Sequence, residues 1–189
     1  MEKFLDEARK IAYEEVKKTG MPLKLHVDLA TEIGKNLAKK LGADVDVVEC
    51  GTLLMDCLIG QSLVENKLDE HIVMSLNKAN ELLDRSSLTE DKKENIRHCI
   101  LEHHGVDKFY SIESEICCNA DCYRFISIKG YSYALRYLRD KNFSFDDLIT
   151  LLNNKAEEKR KAISLDIVKN ELIPQYEIII ENIKYLKGN

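Results

Sequence analysis

Apolar residues in this 189-residue chain recur at steps of three and four over long segments, and no window alternates with period two for long. Only two prolines and eight glycines interrupt it. That combination restricts the chain to helices joined by short connections, an all-α bundle. The pattern predicts helices over about 2–19, stopping at Thr19-Gly20-Met21-Pro22, and about 27–41, with Leu29, Ile33, Leu37 and Leu41 on one stripe and Gly42 as the stop. Further helices are predicted over about 44–58, 68–84, 88–103 (capped by Thr89), 112–127, 131–140 and 145–152. A longer region, 153–187, carries Pro174 as an expected kink or break. No repeat, linker or low-complexity segment divides the chain, so a single domain over 1–189 is expected.

Charge and targeting signals narrow the function classes. The net charge is −5 and no Lys/Arg stripe stands out, which argues against a nucleic-acid duplex as partner. No apolar run is read as reaching the roughly 18–20 residues of a membrane span, and no membrane is expected. The N-terminal MEKFLDEARKIAYEEVKK lacks the apolar core of a signal peptide, so the cytoplasm is the expected compartment. The six cysteines form no CxxC pair and read as reduced, mostly core thiols. A separate reading is a structural zinc site, because Cys99 and His103, and Cys118 and Cys122, each lie four residues apart.

Two carboxylates sit where a helical core should be apolar. Asp56 lies in 51-GTLLMDCLIG-60 and Asp121 in 112-IESEICCNADCYRFIS-127. Burying a lone carboxylate costs several kcal/mol or more. Asp121 has Arg124 within helical reach. Asp56 has no cation three or four positions away, so its partner is distant in sequence or is a metal. Histidines supply candidates: His26, His71, His103 and His104 lie at expected helix ends, from which imidazoles can converge on one cavity. Imidazole and carboxylate together suit zinc, manganese, iron or nickel. Lys24, beside His26, and Arg124 are candidates to meet a phosphate. The run 155-KAEEKRK-161, with Lys159 and Arg160, reads as a solvated helix face with local ion pairs.

The order of these residues resembles the HD-domain superfamily of metal-dependent phosphohydrolases. The family pattern runs His, then an adjacent His-Asp pair, then Asp, on an all-helical fold. Segment 26-HVDLATEIGKNLAKKLGADVDVVECGTLLMD-56 resembles its first block and 70-EHIVMSLNKANELL-83 its next. Segment 100-ILEHHG-105 resembles the His-His element, and 112-IESEICCNADCYRF-125 the helix of the last aspartate. The resemblance spans roughly residues 20–140. It departs from the family at Met55, where the pattern calls for the histidine of the pair, and at Arg124, where some subgroups carry an acid.

The resemblance implies a single HD-like helical domain and a divalent metal ion (manganese, zinc, iron, nickel or magnesium). It implies His26, Asp56 and Asp121 as first-site ligands, and His71 and His103 as second-site positions. His104 joins them as a ligand or as a proton donor to the leaving group. The implied activity is hydrolysis of a phosphate ester of a small substrate, a nucleotide among the candidates, by a metal-activated water, with Asp56 central. The alternative is a degenerate, non-catalytic protein of the same fold that binds a ligand or dimerises without metal. The amphipathic segment 153–187 could pack over the core or face a second copy, which leaves a homodimer open.

Overall fold

The computed structural model describes residues 1–141 and 143–186, and these build an all-α helical bundle. Helices α1 (Glu2–Thr19), α2 (Lys24–Leu41) and α3 (Val45–Leu54) are followed by a short α4 (Ile59–Val64) and a 3-10 turn at Leu68–Glu70. Then come α5 (His71–Asp84), α6 (Glu90–Leu101), α7 (Ile112–Ile126), α8 (Ile128–Arg139), α9 (Phe145–Ala162) and α10 (Asp166–Leu186). The expected end at 187 and the rest of the 1–189 span up to Asn189 lie outside the described residues.

Helices α3 and α7 form the centre, crossed by α2 and flanked by α6 and α9. Their apolar stripes make one large cluster, including Val48, Leu53, Leu54, Ile96, Ile100 and Ile116. A smaller cluster joins α8, α9 and α10 through Tyr131, Ile149, Leu152 and Ile179. Gly51 permits a close approach at the centre: a Cβ there would stand 2.5 Å from Cys99 Cβ and 2.7 Å from Cys117 Sγ. The absence of a side chain at 51 thus lets α3 lie against α6 and α7 together.

Several helix ends follow the expected chemistry. Gly42 closes α2 with φ 72°, and Thr89 Oγ1 accepts from Lys92 N at the start of α6. Ser111 and Ser114 form a reciprocal capping box at the start of α7.

Several boundaries differ from expectation. The helix predicted over 44–58 ends at Leu54. Residues 55–58 form a turn in which Leu54 O and Asp56 O accept from Cys57 N (3.2 Å) and Ile59 N (3.0 Å). Ser75 Oγ accepts from Leu58 N at 3.1 Å, so α5 secures the turn from outside. Continuous apolar character had hidden this break. The stretch Val45–Val64 is long and apolar enough to span a membrane by length and composition alone, contrary to expectation, but 72% of it is buried inside the bundle.

The break expected near 152 is absent, and α9 runs unbroken to Ala162. The chain turns at 163–165 instead, where Asn119 of α7 takes over the capping. Its Oδ1 accepts from Ser164 N (3.2 Å) and Leu165 N (3.1 Å), and its Nδ2 donates to Ser164 Oγ (2.8 Å). Pro174 lies inside α10 without ending it, since Leu172, Tyr176, Ile179 and Ile183 bury one face of that helix across the proline. Lastly, α6 ends at Leu101, so His103 and His104 stand in the turn beyond it rather than in its last turn.

Candidate metal centre

Three helix ends meet at one buried point. The turn after α3 carries Asp56, α5 begins with His71, and the turn after α6 carries His103 and His104. One potential ligand atom from each of these four residues lies within 4.8 Å of the others. Asp56, His71 and His103 are buried, and His104 is half-buried. The His103 and His104 rings pack at 4.3 Å between centroids, and His71 and His104 at 5.2 Å.

Backbone carbonyls set the orientation of two of the rings. His71 Nδ1 lies 2.6 Å from Leu68 O, and His103 Nδ1 lies 2.6 Å from Ile100 O. A carbonyl can only accept, so in each ring Nδ1 carries the proton and donates it. In the neutral ring, Nε2 is then a bare lone pair. These Nε2 atoms stand 3.4 Å (His71) and 3.3 Å (His103) from the same oxygen, Asp56 Oδ1. All three atoms are buried, and among the described residues none has a hydrogen-bond partner of regular geometry. Three acceptors facing one another call for a donor or a cation among them: a proton on a ring, a water or a metal ion. Fixing the distal nitrogen by a backbone carbonyl is the usual outer support of a metal-ligating histidine. The donor set of imidazoles and one carboxylate fits zinc, manganese, iron or nickel better than magnesium.

The other half of the site is built differently. Asp56 Oδ2 accepts a short hydrogen bond from Arg124 Nη1. The same nitrogen donates to Asp121 Oδ1 at 2.6 Å, as the three-residue spacing on α7 predicts. Asp121 Oδ2 pairs with Lys159 Nζ at 2.5 Å. Lys159 is 2% exposed, so it is not part of a solvated face as its charged run suggested. The missed signal lies in the spacing: Lys159 continues the buried stripe Leu152, Ala156 and Ile163 at steps of three and four.

Charges are strongly coupled here. Burial alone would push the Asp56 carboxyl up, but Arg124, and after it His103 and His71, hold it well below the usual carboxylate range. Asp121 is likewise lowered, with Lys159 and then Arg124 outweighing burial. Burial would push the cations Arg124 and Lys159 down, yet Asp121 raises both, and Asp56 also raises Arg124. His104 is pushed down to about 3, first by burial and then by His103 and Lys159, so its ring is neutral at pH 7.

The remaining sequence candidates fall outside the four-residue cluster. His26 is buried on α2, and its Nε2 donates to Gly130 O at 3.0 Å while its ring meets the edge of Phe125 at 5.2 Å. Burial, then Arg124, pushes His26 down to about 4. Asp121 has both oxygens engaged by cations, as above. Met55 is buried beside Asp56 with 1% exposure. Lys24 is exposed and pairs with Asp28 at 2.6 Å instead of facing the cluster. Arg124 is committed to the two aspartates. The cysteine reading finds no support: among the described residues the metal-capable group contains no cysteine. Cys118 and Cys122 instead donate to the backbone carbonyls of Ala162 (3.5 Å) and Lys159 (3.3 Å).

A cavity of about 700 Å³ reaches the cluster at His104, bordered by Gly105, Phe109, Glu158 and Lys161. Gly105 has φ 96°, a left-handed conformation that turns the chain directly after His104.

The fold and site together define an all-α bundle with a buried Asp-His cluster that could bind a metal ion. No family model matches the sequence, and no curated protein does. Among solved structures the chain is similar to Bacillus subtilis YpgQ, at 19% identity and TM-score 0.69, covering 98% of this chain and 95% of that one. It is also similar to the crystal structure of Bacillus subtilis YpgQ in complex with ADP, at 20% identity and TM-score 0.68, covering 98% and 94%. At these identities the likeness establishes the fold.

Proposed function

We propose that the chain is a metal-dependent phosphohydrolase of HD-domain type, acting on a phosphate ester of a small substrate. The observation that carries this reading is the convergence of Asp56 Oδ1, His71 Nε2 and His103 Nε2, three buried atoms without a regular hydrogen bond among the described residues. The His, Asp, His, His-His, Asp order of the sequence supports it. A nucleotide is the substrate class to test first, because a protein of similar fold is found with ADP.

Under this reading Asp56, His71, His103 and His104 hold the ion, and the carbonyls of Leu68 and Ile100 keep two of the rings aimed at it. A divalent ion held there would supply Lewis acidity toward phosphoryl oxygens and lower the pKa of a water. His104 faces both the cluster and the cavity, so it links the ion to the place where substrate enters. Its neutral ring suits a ligand better than an acid for the leaving group. Burial around Asp56 keeps bulk water from screening these charges.

A second reading has its own observation. Arg124 joins Asp56 to Asp121, so much of the polar network is satisfied without an ion. That favours a non-catalytic protein of the same fold. Elemental analysis of the purified protein, with a panel of nucleoside phosphates, separates the two. Near-stoichiometric metal that is lost in Asp56→Ala, together with phosphate release, supports the hydrolase. Metal-free protein that gains no thermal stability from manganese or nickel supports the second reading.

A further inference from the structure

Asp56 divides the site. Its Oδ1 faces the histidines, and its Oδ2 is taken by Arg124. Beyond it, each oxygen of Asp121 also carries a cationic partner, Arg124 on one and Lys159 on the other. His26, which would complete a donor set on that side, directs Nε2 to Gly130 O. Within this buried group the two carboxylates are balanced by two fixed cations. A metal ion placed between Asp56 and Asp121 would have to displace a guanidinium from both and would meet its charge at short range in a medium of low dielectric.

We infer that Arg124, with Lys159 holding the other oxygen of Asp121, is a built-in cation that fills the half of the site between Asp56 and Asp121, so that the chain takes one divalent ion and not two. This rests on the metal reading proposed above and sharpens it. The two departures from the family pattern then become one change. Where Met55 offers no imidazole, the guanidinium of Arg124 supplies the positive charge that the two aspartates require. Arg124 is thereby a positioning residue: it holds Oδ2 and leaves Oδ1 to the histidines.

The test is the number of ions bound. Wild type, Arg124→Asn and Arg124→Lys are stripped with chelator and dialysed against Mn²⁺. Bound metal is then counted by elemental analysis, and melting is followed with and without Mn²⁺. The expected counts are one per chain for wild type and Arg124→Lys, and two for Arg124→Asn, with a larger Mn²⁺-dependent rise in Tm for Arg124→Asn. Two ions in wild type, or one in a folded Arg124→Asn, overturn the inference and leave the metal reading standing. No ion in wild type overturns both. If Arg124→Asn does not fold, the wild-type and Arg124→Lys counts decide, and two ions in either overturn the inference.

Discussion

Asp56 Oδ1 lies 3.3 Å from His103 Nε2, and the opposite nitrogen of that ring is bound by Ile100 O at 2.6 Å. The carbonyl takes the proton on Nδ1, so the ring is held with Nε2 facing the carboxylate oxygen. Replacing His103 by Gln removes that nitrogen from its place. Affinity for Mn²⁺ or Zn²⁺, measured by titration calorimetry, is expected to fall by at least about 10–100-fold, the loss typical even of outer-sphere changes. Unchanged affinity would place the ion elsewhere.

Met55→His should act only in combination. With Arg124 still bridging Asp56 and Asp121, the bound-ion count is expected to stay at one. Paired with Arg124→Asn, the count is expected to stay at the two of Arg124→Asn alone, and the second ion to bind more tightly than in that single variant. A second ion in Met55→His alone would show that Arg124 yields readily.

Lys159→Met leaves Asp121 with one cation fewer in a buried setting. Breaking a buried pair in this way costs about 3–5 kcal/mol. Denaturant melts should show that loss, and Lys159→Met combined with Asp121→Asn should recover most of it. Equal instability of single and double variants would mean that the Lys159 stem, not its charge, matters.

Acid should expose His26. Its folded pKa is lowered to about 4 from an ordinary 6.5, so the unfolded chain binds the extra proton between these values. Stability from this group is full above pH 6.5 and is lost as the pH falls toward 4, by about 3 kcal/mol in all. His26→Gln keeps a donor for Gly130 O and cannot titrate, so its stability should fall less steeply over that window. Below about pH 4 the lowered carboxyls of Asp56 and Asp121 add a second loss in both proteins. Parallel curves between pH 4 and 6.5 would contradict the assignment.

Much of this was legible from residue order. Helical stripes, the Gly42 stop and the Thr89 cap follow from local spacing and local hydrogen bonds, and the structure has all of them. Asp56 and the histidines could be singled out because they are polar residues at positions where burial demands a partner. What could not be read depends on contacts between distant segments. The turn at 55–58 sits inside an apolar run and is secured by Ser75. Asn119 holds the turn between α9 and α10 from 45 residues away. Lys159 shares a run with Glu157, Glu158 and Arg160, so only its place on the buried stripe marks it as internal.

Asp56 with His71, His103 and His104 is proposed to hold a divalent cation. An anomalous difference map from crystals of the wild-type protein grown with Mn²⁺ tests it most directly. One strong peak is expected within coordinating distance of Asp56 Oδ1, His71 Nε2 and His103 Nε2, with Arg124 still bridging Asp56 and Asp121. The absence of a peak there at millimolar Mn²⁺, with both rings still directed at Oδ1, would contradict it.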